Sequence, residues 1–165
     1  MKDVDEPIFG LEFNASENVN RKNNESLAKQ IRQLVSEQSF CVLCTQGSNQ
    51  PYGSLIAYAF TDDLKKFYFT TPVATRKFKL LNECARVALL IDSRARHLDD
   101  MTQVAAVTIT GKATHIADGD EYHDGINLLK SRHSYLESIG TSNSTALFRI
   151  DVVRYFHVTR FQEVS

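Results

Sequence analysis

Six short segments rich in β-branched and aromatic residues, bounded by turn residues, dominate this chain from residue 40 onward. This composition predicts strands, at about residues 40–46, 52–61, 65–71, 86–92, 104–116 and 146–164. The early strands are linked by hairpin-length turns, which favours an antiparallel sheet over a doubly wound parallel one. The last strand is expected to kink near Arg154. The sequence therefore predicts a mainly β fold with helices, a small six-stranded antiparallel barrel, with an open α+β sheet as the alternative.

Three helices are predicted around these strands. The first begins after a cap at Asn24 or Ser26 and carries one apolar stripe. The second begins after Thr75, whose hydroxyl can accept a backbone N–H that the helix cannot satisfy. The third begins near Asp118, which together with Glu121 matches a capping box. These helices are expected to lie at the connections between strands.

Length and charge limit the classes of protein to be considered. The chain has 165 residues and a net charge of −1, so no global field recruits nucleic acid or an anionic membrane. No apolar run is long enough to span a bilayer, and the N-terminus lacks the apolar core of a signal peptide. We therefore expect a cytoplasmic protein without nucleic-acid or membrane partners. Residues 1–24 are polar and aperiodic, which predicts a flexible N-terminal arm before one domain over residues 25–165.

The cysteines and histidines do not predict a metal site. Three cysteines, an odd number, fit a reducing compartment better than a disulfide scaffold. Cys41 and Cys44 form a CxxC motif, but residues three apart in a strand point to opposite faces. The five histidines are not paired at ligand spacing. We therefore expect two structural thiols and no bound metal.

The start of the second predicted helix indicates an anion site. Thr75 is followed by Arg76 and Lys77, two cations placed where the helix dipole is already positive. This placement is locally unfavourable unless a doubly charged anion such as a phosphate monoester normally binds there. The alternative is that both are ordinary surface charges, since Lys79 continues the basic run.

The order of these motifs resembles the FMN-binding split-barrel family typified by pyridoxamine 5'-phosphate oxidase. The resemblance covers about residues 27–164, nearly everything but the arm. The oxidase carries a tryptophan at its flavin, whereas this sequence contains no tryptophan. No single motif is very specific, but the ordered set with its spacings is. The matching elements are Pro51-Tyr-Gly-Ser54, Phe67-Tyr-Phe-Thr-Thr71, Thr75-Arg76-Lys77, Leu81-Asn82, Val87-Ala88-Leu89, Asp92-Ser93-Arg94 and Val107-Thr-Ile-Thr-Gly111-Lys-Ala113.

This resemblance implies a six-stranded split barrel that binds FMN as a homodimer, with the flavin at the subunit interface. The family's phosphate grip matches Thr75, Arg76 and Lys77, and its preceding strand contact falls on Thr70 and Thr71. Its strand of flavin contacts falls on Ser54, Leu55 and Ile56, where Ser54 replaces the family's arginine. Arg94 could reach the flavin from either chain. Gln103 lies near a family glutamine but is offset from it, since the ungapped match is Ala106. Arg94 or Lys112 could serve the part of the ring that becomes negative on reduction.

The function implied is that of a small flavin-dependent oxidoreductase with an unassigned substrate and, as an option, a nicotinamide electron donor. No catalytic side chain is predicted, since the flavin carries the chemistry. Arg154 and His157 loosely resemble substrate-binding elements of the oxidase, but at a different spacing, and we favour a structural role for His157. Two alternatives stay open: a relative on the same barrel that uses haem or deazaflavin, and a non-catalytic flavin-binding module that senses redox state or stores cofactor.

Overall fold

The computed structural model describes residues 18–136 and 144–158, with side chains from residue 25 onward. The helices are α1 (Asn18–Glu37), α2 (Arg76–Glu83) and α3 (Asp120–Arg132). The strands are β1 (Phe40–Gly47), β2 (Gln50–Ala57), β3 (Ala59–Phe60), β4 (Lys66–Pro72), β5 (Arg86–Asp92), β6 (Ala106–Ile116) and β7 (Thr145–Val158). Short 3₁₀ turns lie at Arg94–Arg96, Met101–Gln103 and Ser134–Leu136. The predicted arm before residue 18 and the predicted end of the last strand after residue 158 lie outside the described residues.

All strands belong to one antiparallel sheet in the order β2-β1-β5-β6-β7-β4-β3. The sheet curls on itself, which leaves β2 and β3 as its two edges and makes the fold a split barrel. The predicted fold class is therefore confirmed, and the alternative of an open α+β sheet is not needed. The described residues form seven strands rather than six, because the predicted strand over residues 52–61 is interrupted at Tyr58.

Tyr58 breaks this strand because its polar groups bind helices rather than the sheet. Its hydroxyl lies 2.7 Å from the carbonyl oxygen of Val35 and 2.8 Å from that of Gln38, at the end of α1. Its own carbonyl oxygen lies 2.8 Å from Nε2 of His133, just beyond α3. The side chain is fully buried. The chain therefore changes direction at Tyr58, and β3 pairs with β4 instead of continuing the β1–β2 hairpin.

The core lies inside the curl and is built from alternate residues of each strand. Along β5, for example, Val87, Leu89 and Ile91 are buried and the residues between them are partly exposed. Phe69 and Phe148 stack at the centre with ring centroids 5.5 Å apart. The predicted apolar stripe of α1 closes one opening of the barrel, through the buried side chains of Ile31, Leu34 and Val35.

The helix starts differ from the sequence predictions. Helix α1 begins at Asn18, earlier than the predicted caps at Asn24 and Ser26. The predicted capping box of α3 is wrong: the cap is Gly119, at φ 84°, without a side-chain hydrogen bond. Glu121 instead accepts two hydrogen bonds from Arg149 of β7, at 2.8 and 2.7 Å. Within the part of the chain that the structure describes, no helix is long and apolar enough to cross a membrane.

The predicted kink near Arg154 is a β-bulge. The register between β6 and β7 shifts so that Thr110 pairs with Arg154 and Gly111 with Val152, leaving Val153 as the extra residue. At the bulge the two backbones approach closely, since a Cβ on Gly111 would lie 2.7 Å from the carbonyl oxygen of Asp151. The extra residue strengthens the local twist, which helps the sheet to curl.

Candidate functional site

Most of the predicted cofactor-binding residues lie where the barrel is split, between β2 and β4. Strand β2 is an edge of the sheet, and β3 pairs only with Tyr68 and Phe67 of β4, so the rest of β4 also has an open edge. Helix α2 packs against β1 and β4, and β2 and β4 approach each other across the gap. We call this region the split site and define it by Ser54–Ile56, Thr71 and Thr75–Lys77.

Thr75 caps α2 as the sequence predicts. Its hydroxyl oxygen accepts a hydrogen bond from the backbone N–H of Phe78 at 3.2 Å and donates one to the carbonyl oxygen of Pro72 at 2.8 Å. Thr71, which is almost fully buried at the end of β4, places its hydroxyl oxygen 3.0 Å from that of Thr75. Strand β4 therefore fixes the first turn of α2, whose opening amides have no partner within the helix and are available to an anion.

Arg76 and Lys77 lie at this same turn, and neither forms an ion pair with a carboxylate of the described residues. The Arg76 guanidinium sits over the ring of Tyr52, 5.2 Å from its centroid. The Lys77 ammonium is half-buried and lies 3.5 Å from the carbonyl oxygen of Leu55. Burial lowers the pKa of Lys77, against the opposing effect of the nearby Cys41 thiol. The turn thus carries two positive charges that no carboxylate in the described part of the chain neutralises.

Ser54 is a buried polar side chain without a partner. Its hydroxyl oxygen is inaccessible to solvent and makes no hydrogen bond in the part of the chain that the structure describes. Ser54 lies on the inward face of β2, opposite Leu43 of β1, whereas the next side chain, Leu55, points outward and is 67% exposed. Buried hydroxyls almost always have a hydrogen-bond partner, so an orphan beside an open strand edge is a feature that a ligand would explain.

Of the three other predicted residues, Thr70 and Gln103 are not assembled with this group within one chain, and Arg94 meets it only through a groove that Leu55 borders. Thr70 faces the opposite side of β4 from Thr71, because successive residues in a strand alternate. Arg94 pairs with Asp92, at 3.0 Å, and lines an outer groove of about 260 Å³ that Leu55 also borders. Gln103 donates to Asp100 at 3.0 Å and lines a different cavity, under α1. Whether a second chain brings Arg94 or Gln103 to a flavin stays a prediction.

Sequence reasoning missed Tyr52 as a component of the site. Its ring supports the Arg76 guanidinium, and such cation–π contacts hold an arginine in place without neutralising its charge. The signal was present, since Tyr52 is two residues before Ser54 and therefore shares its face of β2.

The CxxC cysteines are separated as predicted. Cys41 is buried inside the barrel and Cys44 is exposed on its outer face. Burial raises the pKa of the Cys41 thiol, with a smaller contribution from Cys44, so Cys41 is an unreactive core residue. Among the described residues, no cluster of three or more histidine, cysteine or acidic side chains could hold a metal ion.

Comparison with protein families gives one match. The family model described as pyridoxamine 5'-phosphate oxidase matches residues 27–159, which includes the whole split site. No curated protein matches the chain in sequence.

Solved structures of known proteins share this fold. A haem-binding protein from Mycobacterium smegmatis superposes with a TM-score of 0.73 at 16% identity, over 82% of this chain and 55% of its own, so this chain spans about half of that protein. The haem storage protein HutZ from Vibrio cholerae gives 0.69 at 14% identity, over 79% and 93% of the two chains. An FAD-binding protein from Mesorhizobium loti gives 0.64 at 16% identity, over 79% and 90%. At these identities the likeness concerns the fold and not the ligand.

Proposed function

The chain belongs to the pyridoxamine 5'-phosphate oxidase family, and from that premise we propose that it binds FMN at the split site and acts as a flavin-dependent oxidoreductase. The flavin phosphate would bind the first turn of α2, between Arg76 and Lys77. The ring would lie along β2, beside Ser54 and the backbone of Leu55. The family match and the FAD-binding protein of the same fold support a flavin in general, and the phosphate-binding turn favours a flavin that carries a phosphate.

The observation that carries this proposal is the pair of cations at the start of α2 that no carboxylate of the described residues neutralises. On the same helix, the exposed Lys79 has a partner in Glu83 at 3.9 Å, so the lack of one at Arg76 and Lys77 is particular to the first turn. The unpaired hydroxyl of Ser54 supports binding of the flavin ring beside β2, because a flavin offers both hydrogen-bond acceptors and a donor along its edge. A flavin nucleotide needs both features: positive charge for its phosphate and a hydrogen-bonding group beside its ring.

When bound, the flavin supplies hydride chemistry, and the protein binds and orients it. Thr75 keeps the amides of the first turn of α2 directed at the phosphate, because its cap fixes the helix start. Tyr52 holds Arg76 over the turn. Lys77, which is half-buried, supplies a positive charge beside the edge of β2. Arg94 is the residue we propose to face the part of the ring that becomes negative on reduction.

We also propose that the protein acts as a homodimer. The outer face of the sheet carries exposed apolar side chains, of which Val153 is 72% exposed and Leu55 67%. Val153 also lines an open groove of about 920 Å³ on this face, together with Cys44, Ala88 and Thr110. Apolar surface of this kind on a sheet face favours association with a second copy. A dimer through this face would bring a second chain against β2, next to the split site.

Haem is the second candidate ligand, because two solved structures of the same fold are described as a haem-binding and a haem storage protein. Deazaflavin, and a flavin bound without catalysis, remain further alternatives. The cationic first turn of α2 favours the doubly charged phosphate of a flavin nucleotide over the singly charged propionates of haem. Haem would in addition need an axial ligand for its iron.

The test is a titration of purified protein with FMN, riboflavin and haem, followed by absorbance and fluorescence. We expect FMN to bind saturably, at one per chain, and riboflavin to bind at least roughly tenfold more weakly, since it lacks the phosphate. Saturable haem binding with no FMN binding would overturn the proposal in favour of haem. Oxidation of NADH or NADPH by the FMN-loaded protein would then separate an oxidoreductase from a non-catalytic module.

A further inference from the structure

His157 is a largely buried histidine whose ring nitrogens are not sealed inside the core, since the fully buried side-chain nitrogens and oxygens without a partner among the described residues belong to Gln38, Ser54 and Arg132. It lies near the end of β7, opposite Val107 of β6, with 8% of its surface exposed. No hydrogen bond, ion pair or aromatic contact to its ring is present among residues 18–136 and 144–158. The imidazole is therefore free to hydrogen-bond to a molecule in the space that it faces.

His133 shows how this protein treats a histidine whose role is structural. It is even more buried, at 2% exposure, and its Nε2 lies 2.8 Å from the carbonyl oxygen of Tyr58. Its other ring nitrogen lies 3.4 Å from the hydroxyl of Tyr135. Both nitrogens of His133 therefore have partners within the chain, whereas none of the described residues hydrogen-bonds to the ring of His157. The ring of His157 is therefore the one of the two that can bind a ligand.

His157 opens onto a cavity of about 350 Å³ beneath α1. This cavity is separate from the split site: α1 covers it, and none of the residues that define the split site lines it. Leu34 and Ala105 give it apolar walls, and glutamine side chains, among them Gln103, stand around it. A volume near the lower end of the range for small-molecule pockets suits a compound of one or two rings.

The charges around the cavity cancel. Arg96 and Glu37 form an ion pair across its rim, with Nη1 2.6 Å from Oε2. His97 is the remaining titratable side chain that lines the cavity besides His157. An anionic ligand would meet the Glu37 carboxylate, and a cationic ligand would meet the Arg96 guanidinium. The cavity is therefore best suited to a neutral molecule.

We propose that this cavity is a second binding site, for a small uncharged ring compound that hydrogen-bonds to His157. Burial lowers the pKa of His157, so the ring is neutral near pH 7 and offers one donor and one acceptor nitrogen. Leu34 and Ala105 would contact the ring faces of the compound. Gln103 then belongs to this site within its own chain.

The experiment is an NMR titration of the full chain with three single-ring probes that differ in charge: benzamide, benzoate and benzylammonium. We expect benzamide to shift the imidazole signals of His157 saturably, and to bind at least roughly fivefold more tightly than either charged probe. His157→Phe and, separately, Ala105→Leu, which fills the cavity from its apolar wall and keeps the histidine, should each weaken benzamide binding by roughly tenfold or more. His123→Phe, an exposed histidine on α3, is the matched control and should leave it within about twofold.

Four results would overturn the proposal. The first is that benzamide leaves the His157 signals unchanged up to its solubility limit. The second is that benzoate or benzylammonium binds as well as benzamide. The third is that both cavity variants, shown to be folded by circular dichroism, bind benzamide normally. The fourth is that FMN displaces benzamide, because the two sites would then not be separate. Failure of FMN to bind at the split site has no bearing on this test, which is run on protein without added flavin.

Discussion

Replacing both cations at the start of α2, by Arg76→Ala with Lys77→Ala, is the most direct test of the phosphate site. A hydrogen bond to a charged group contributes about 1.5–3 kcal/mol. Lys77 is half-buried and Arg76 is exposed, so we take a middle value for the first and the lower limit for the second. Their sum, about 3.5–4 kcal/mol, corresponds to a loss of roughly 400- to 900-fold in FMN affinity.

Riboflavin makes the assay specific for the phosphate. Both flavins are titrated into wild-type protein and the double variant, with quenching of flavin fluorescence as the signal. We expect the preference for FMN over riboflavin to fall by the same factor in the variant, leaving only what the amides of the first turn contribute, while riboflavin affinity changes little. Lys79→Ala, on the same helix but paired with Glu83, is the matched control and should preserve the preference.

The free protein should not be destabilised by the double substitution, because two positive charges are removed from the positive end of a helix dipole. Its melting temperature is expected to stay the same or rise slightly. A double variant that still binds FMN far more tightly than riboflavin would refute the assignment of the phosphate to this turn, whatever the flavin does elsewhere.

Four further predictions follow from particular contacts. Ser54→Ala should leave the unfolding free energy of the flavin-free protein unchanged or slightly higher in urea titrations, since no bond is lost, yet lower FMN affinity by about 0.5–1.5 kcal/mol. Val153→Asp should shift the protein from dimer to monomer in sedimentation, and a monomeric wild type would contradict the proposed dimer. Gly111→Ala should destabilise by about 1–3 kcal/mol, because its Cβ would clash with a backbone carbonyl, whereas Gly53→Ala, with ordinary contacts at 3.5 Å, should cost less than about 0.5. Burial lowers the pKa of His157 below its ordinary 6.5, so the contribution of the neutral imidazole to the free energy of unfolding is fully present above pH 6.5 and is lost as the pH falls. The stability of His157→Phe should therefore depend less on pH between 6.5 and 5 than the stability of the wild type does. Identical pH profiles of the two proteins would contradict this.

Features set by neighbouring residues in sequence were predictable. The strand at Arg86–Asp92 has the predicted bounds, because its alternation of apolar and other residues directly reflects one buried face. The Thr75 cap was predictable for the same reason, since a cap depends on the chain within three residues of it. The kink near Arg154 was correct in position, although only the register of β6 shows it to be a bulge.

Features set by contacts distant in sequence were not predictable. Asp118 and Glu121 have the spacing of a capping box, but Glu121 binds Arg149, a stronger charged partner that β7 brings to it. Tyr58 lies in a continuous run of strand-forming residues, and only the carbonyls at the end of α1 explain why the strand stops there. The orphan state of the Ser54 hydroxyl likewise depends on the whole fold, because a missing partner has no local sequence pattern.

The split of the barrel and the candidate cofactor site have one physical origin. A strand at the edge of a sheet exposes unpaired backbone groups, which invites pairing with other chains unless the edge is covered. Here Lys77 of α2 approaches the carbonyl oxygen of Leu55 at 3.5 Å, so a charged side chain lies against the edge of β2, a common way of protecting such an edge. The same lysine and the amides at the start of α2 then face the gap with unneutralised positive charge. A flavin phosphate bound there would complete the protection, so we expect cofactor loss to expose the β2 edge and to increase aggregation of the free protein. Light scattering of FMN-loaded and flavin-free protein at equal concentration measures this, and equal scattering would show that α2 alone protects the edge.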